Sequence, residues 1–175
     1  EDKESTARMS KWNVSVEPCV ITDAQATSAV VAVGARSHIG LALPSAVDGS
    51  RSDLLTGRFR LRRASALCRG GFHLGSIYLY DSVGALARCN LDLLQAVAAE
   101  LAMVSGGWVL GGDWNCTPAE LSATGWLDLV GGYICAPSAP TCNGKIYDYF
   151  VVKRRFQHAV HSVHTVGDAL FKPHS

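Results

Sequence analysis

The sequence predicts an α/β (α+β) layered sandwich, and three observations carry that reading. Several short segments alternate or run apolar as strands do, one long amphipathic helix stands between two of them, and turn-forming residues punctuate the rest. The 175 residues fit one domain, and 48% hydrophobic against 18% charged residues is ample for a core.

Residues 1–11 mix both charge signs without an apolar run, so they are expected to form a polar, disordered segment ahead of a domain over residues 12–175. The chain opens on Glu1 rather than Met, which suggests a start inside a longer product. Trp12 to Val16 alternates like a strand with one buried face, and the apolar run from Ser28 to Ala35 reads as a deeper strand. Residues 44–57 collect Ser, Asp, Gly and Arg as a loop. Arginine alternates with Phe59 and Leu61 over residues 57–64, giving a strand with one basic face. A second strand, Phe72 to Tyr80, follows the hairpin signal Gly70-Gly71.

Leu86, Asn90, Leu93, Leu94, Val97, Leu101 and Val104 recur every three or four residues and predict a helix over 82–104. Asp81 or Ser82 can cap its start, and Ser105-Gly106-Gly107 can close it. Trp108 to Gly112 is then a short buried strand running into Asp113, and the order strand, helix, strand implies parallel neighbours. Thr117-Pro118 reads as a helix start, residues 131–144 as irregular, residues 146–153 as a strand, and residues 161–166 as an extended stretch.

A net charge of +1 gives no global pull toward nucleic acid or membrane, so any polyanion must be held by a local patch. The six cysteines are irregularly spaced without a Cys-x-x-Cys pair, which favours reduced thiols. No apolar stretch approaches the roughly 20 residues of a membrane span, and no signal peptide is visible, so an intracellular (cytoplasmic or nuclear) place is expected. No protein partner is readable.

Three features carry chemistry. Gly111-Gly112-Asp113-Trp114-Asn115 ends an apolar strand in an acid and an amide, at the sheet edge where open α/β folds place their sites. Asp113 can hold or deprotonate a water, and Asn115 can donate to a developing oxyanion. The plainer reading is an Asx turn in which both side chains bond local backbone. Asp148 shares a strand face with Phe150 and Val152, where a carboxylate needs a cation or strong donor. Histidine suits, because a carboxylate on one ring nitrogen fixes the tautomer, and His174 stands near the end of the chain.

Strand, acid-x-Asn, an Asp-Tyr-Phe strand and a terminal histidine together resemble the endonuclease/exonuclease/phosphatase family, whose fold is DNase I-like. The likeness covers roughly residues 28 to 174, and residues 91–117 look like divergent protist-type copies. It implies a partial four-layer sandwich of two mixed β-sheets flanked by helices, here the C-terminal portion. It also implies a metal-dependent nuclease or phosphatase acting on a phosphate-ester substrate, nucleic acid included. Within that resemblance His174 is the base or transition-state stabiliser, oriented by Asp148. Asp113 aligns the water, Asn115 and Tyr78 hold phosphate oxygens, and Asp81 touches phosphate. Magnesium is the implied cation, with Asp113 as a candidate ligand. The family's metal-binding Glu lies in strands that precede anything present, Glu17 sits in the wrong context to replace it, and Pro173 stands where the family has Asp. The expectation is therefore that this stretch alone is inactive, the alternative being a degenerate noncatalytic binding or structural module. Substrate choice and oligomeric state are not legible.

Two rival clusters read more simply as surface. On a strand His158 and His164 share a face while His161 points away, which disfavours a zinc triplet. Arg58, Arg60, Arg62 and Arg63, with Lys153 to Arg155, read as a charge-protected sheet edge before a phosphate strip.

Overall fold

In chain order the strands are β1 (Trp12–Glu17), β2 (Val20–Ile21), β3 (Thr27–Ser28), β4 (Val31–Arg36), β5 (Phe59–Ala64) and β6 (Phe72–Tyr78). Helix α1 (Arg88–Met103) and strand β7 (Gly107–Asp113) follow, then α2 (Pro118–Ala123), α3 (Trp126–Val130), β8 (Gly132–Cys135) and β9 (Asp148–Lys153). The computed structural model describes residues 11–21, 27–28, 30–44, 52–68 and 71–165. The expected polar segment at the N-terminus lies outside them, apart from Lys11.

Five strands form one mixed sheet in the order β5-β6-β7-β9-β8. β6 and β7 are parallel, joined through α1 as the strand-helix-strand order requires, and the other pairs are antiparallel. One face packs on the helices. Phe59, Leu61, Ile77, Leu110 and Val151 meet Leu93, Leu94, Val97 and Leu101 of α1, all buried in one cluster with Trp114, Leu121 and Trp126. Trp126 also donates its indole N–H to the Leu94 carbonyl at 2.7 Å, tying α3 to α1.

The opposite face of β5 is held by the hairpin β1–β4. Arg60 donates to Ser15 Oγ at 3.0 Å and forms an ion pair with Glu17, and Arg62 donates to Ser15 Oγ at 2.8 Å. The alternating arginines therefore join two sheets rather than forming a solvated edge. Glu17, only 6% exposed, balances Arg60. Over β8 and β9 that same face carries Tyr133 and Phe150, 46% and 44% exposed, so apolar sheet surface is exposed there.

Several sequence boundaries shift for local reasons. The helix begins at Arg88, not at Ser82, because Ser82 and Gly84 adopt φ of 59° and 81°, outside helical backbone. Ala87 is the N-cap and no side chain caps it. Leu86 falls outside the helix and is 64% exposed, so it is not part of the buried stripe. β8 interrupts the segment expected to be irregular; at four residues it is too short to show a period. The run from Ser28 divides, with Ser28 in β3 and the buried alternation starting at Val31. Residues 161–165 form no strand. All six cysteines are free.

Candidate functional site

The parallel register of β6 and β7 brings their carboxyl ends to one edge, where Tyr78 stands beside Asp113. β9 starts at the same edge and sets Asp148 across from Asp113. Arg58, one residue before β5, extends the row, since the Tyr78 amide donates to its carbonyl at 2.9 Å. A cation, a phenol and two carboxylates thus line up across four strands.

Gly112 makes that closeness attainable. A Cβ there would sit 2.9 Å from the Ile77 carbonyl carbon and 3.0 Å from its nitrogen, so only glycine lets β7 approach β6. Trp114 then sets the two polar residues apart from the core. It is fully buried, stacks on Tyr149 at 5.3 Å and 8°, and donates to the Tyr149 carbonyl at 3.0 Å. With the middle residue locked inward, Asp113 and Asn115 sit half-buried at the rim.

Asp113 Oδ1 accepts from the Asn115 amide at 3.0 Å, which is the Asx turn the sequence allowed. Asn115 adopts φ 46°, a left-handed conformation that asparagine tolerates, and donates its side-chain N–H to the Leu79 carbonyl at 2.8 Å. Both side chains therefore have structural work, and Asn115 also ties the end of β7 to the end of β6. Asp148 is fixed through its backbone: Thr141 Oγ1 accepts from the amides of Tyr147 and Asp148 at 2.9 and 3.0 Å. Its Oδ2 is buried and has no hydrogen-bond partner among the described residues. A buried carboxylate oxygen calls for a donor, and the described residues do not supply one.

Two neighbours escaped the sequence reading. The Arg58 guanidinium is buried over the Tyr80 ring at 3.5 Å and the Tyr78 ring at 5.6 Å. The sequence placed it in a surface strip because alternation cannot show two tyrosines waiting one strand away. Asn90, noted only as a buried helix position, accepts from the Tyr80 amide and donates to the carbonyls of Tyr80 and Gly84. It clamps the loop that carries exposed Asp81. Cys116 adds nothing nucleophilic: burial, opposed by its hydrogen bond to Tyr149, pushes its thiol up to about 11, and burial also raises the Tyr149 hydroxyl.

The structure brings Tyr78, Asp113, Asn115 and Asp148 to one edge and leaves Asp81 on the adjoining loop. His174 lies outside the described residues. No group of three or more His, Cys, Asp or Glu able to hold a metal occurs among the described residues, the histidines at 158, 161 and 164 included. With Asp113 Oδ1 occupied by its own turn, the acids present do not make a magnesium site by themselves.

No protein-family model and no curated protein matches the sequence. Solved structures do match by shape. The human nocturnin catalytic domain with bound sulfate anion superposes with TM-score 0.62 at 12% identity, covering 88% of this chain and 65% of that one. The 3'-5' exonuclease NExo from Neisseria meningitidis gives 0.54 at 15% identity, covering 91% and 74%. An AP endonuclease from Archaeoglobus fulgidus gives 0.54 at 10% identity, covering 87% and 71%. The chain spans 37% of CdtB, the biologically active subunit of cytolethal distending toxin. No helix is long and apolar enough to cross a membrane among the described residues. The fold is that of the DNase I-like nucleases and phosphatases, an α/β architecture with a five-stranded mixed sheet and two two-stranded antiparallel ones among the described residues.

Proposed function

We propose that this chain carries the phosphate-directed part of a phosphoester hydrolase centre of the endonuclease/exonuclease/phosphatase type. The observation that supports it most is the in-register row Tyr78–Asp113–Asp148, in which Asp148 Oδ2 is buried without a partner among the described residues. In this reading His174 donates to that oxygen, which fixes its ring so that the other nitrogen faces the phosphorus as base or transition-state stabiliser. Asp113 orients the attacking water, and Asn115 and Tyr78 donate to phosphate oxygens, with Asp81 on the adjoining loop. Asn115 has a second side-chain N–H for that purpose beyond the one given to Leu79.

Magnesium is part of the proposal for the whole centre, but its ligands are not assembled among the described residues, and no step is assigned to it. A second reading is that the chain is a noncatalytic relative that keeps the fold as a binding or structural module. Hydrolysis of bis(p-nitrophenyl) phosphate in excess magnesium separates the two, measured on this chain and on any longer polypeptide that contains it. This chain alone is expected to give little or no turnover. In a longer, active form, Asn115→Ala and Asp148→Asn should each lower kcat/KM by about 10²–10³. Turnover indifferent to both substitutions would sink the hydrolase assignment to this edge.

A further inference from the structure

The orientation of Asp148 decides from which side of the sheet a partner must reach it. Tyr149 and Val151 lie in the core cluster, so the alternation of β9 turns Asp148 and Phe150 to the opposite face. Phe150 lies there over Gly111, where an added Cβ would meet its ring at 2.7 Å. The hairpin β1–β4 packs over β5 and β6 on that same face. Beyond it Phe150 of β9 and Tyr133 of β8 are exposed, so the covered interface continues into an open apolar surface beside the candidate site.

The chain leaves the sheet at the far edge. β9 ends at Lys153, five residues from Asp148 and about 17 Å away at strand rise. The 3-10 helix Arg154–Ala159 follows and packs on β8 and β9. To bring His174 to Asp148, residues 160–173 must return the length of β9, and extended they span up to about 45 Å. The core face is filled by α1 and Trp126 of α3, which leaves the uncovered face as the direct route. The composition of the segment suits it: Val160, Val163, Val166, Leu170 and Phe171 stand against one acid, Asp168, and one lysine, Lys172. Leu170 and Phe171 precede His174 by four and three residues, about 13 and 10 Å of extended chain, while Phe150 is about 7 Å along β9 from Asp148.

We propose that residues 166–173, which lie outside the described residues, dock on the face formed by Tyr133, Gly111 and Phe150. Leu170 and Phe171 pack against the two aromatic rings, and the segment delivers His174 to the site edge. The direction of the segment rests on the assignment of His174 to Asp148 proposed above; the exposed face and the apolar composition stand without it. A tethered segment is favoured over a second copy of the chain, because a short linker holds it at an effective concentration on the order of millimolar.

The test is photocrosslinking of the whole chain with p-benzoyl-phenylalanine in place of Tyr133, read by peptide mass spectrometry, with circular dichroism matching the parent as proof of folding. The expected product is a crosslink within one chain to residues 166–173. Leu170→Ser combined with Phe171→Ser should lower its yield at least about fivefold, since two buried apolar side chains are lost. The same probe in place of Leu129, exposed on α3 at the helical side, should not reach those residues. His174→Ala should keep most of the crosslink, so failure of the histidine assignment leaves it in place, whereas failure of docking removes it from every variant. Absence of crosslinks to residues 166–173 overturns the proposal. So do crosslinks that join two chains, or a yield that ignores the Leu170/Phe171 change.

Discussion

Gly112→Ala tests the register that sets Tyr78 beside Asp113. The added methyl group would meet the Ile77 backbone, at 2.9 Å from its carbonyl carbon, 3.0 Å from its nitrogen and nearer still to its oxygen. No rotamer change makes room against backbone, so β6 and β7 must part in the middle of the five-stranded sheet. Overpacking in a core usually costs about 1–3 kcal/mol, and a rigid obstacle puts this substitution at about 3 kcal/mol or more. Gly111→Ala is the internal control. Its methyl group would meet the Phe150 ring at 2.7 Å, but that ring is 44% exposed and can swing aside, for about 1 kcal/mol. In urea, where stability falls by about 1–3 kcal/mol per molar, Gly112→Ala should lower the midpoint by about 1–3 M and Gly111→Ala by clearly less. A Gly112→Ala protein within 1 kcal/mol of the parent, on the order of one small surface change, would refute the close β6–β7 pairing and with it the row of site residues.

Asn115→Ala should cost about 1–2 kcal/mol in thermal or urea unfolding, because it loses the bond to the Leu79 carbonyl and places alanine at φ 46°. Asn115→Gly should recover part of that loss, since only the bond and not the backbone preference is then missing; equal losses would contradict the assignment. His73 predicts an acid-sensitive fold. Burial lowers its pKa in the folded state, so the unfolded chain takes up the proton first as pH falls through about 6.5. Stability attributable to His73 is full above that pH and declines below it. The drop in urea midpoint between pH 7.5 and 5.5 should be smaller in His73→Gln, and an unchanged drop would exclude His73 as its source.

What the sequence made legible were features written in local order. Three-and-four spacing disclosed the core of α1, Thr117-Pro118 disclosed a helix start, to which the structure adds a capping box with Glu120, and an apolar run into Asp113 disclosed β7. The edge row was legible as an order of residues, Tyr78 then Asp113 then Asp148, but their adjacency depends on strand register. Gly112 sets that register by close approach, which no periodicity displays. The start of α1 was misplaced because Ser82 looks like a cap, whereas Asn90 reaches back to hold a left-handed loop at Ser82 and Gly84. The role of Arg60 and Arg62 was hidden for a similar reason. Their partners, Ser15 and Glu17, lie more than 40 positions away in sequence, and alternation alone cannot tell a solvent face from one covered by a second sheet.

Asp148 is proposed to belong to a reaction edge, with His174 answering the oxygen that has no partner among the described residues. A double-mutant cycle on Asp148→Ala and His174→Ala, followed by urea unfolding at pH 7, tests it without requiring turnover. A histidine donating to a buried carboxylate should give a coupling of about 1–3 kcal/mol, so that the double variant loses less than the sum of the single ones. Losses that add within about 0.5 kcal/mol would show two independent residues and contradict the claim.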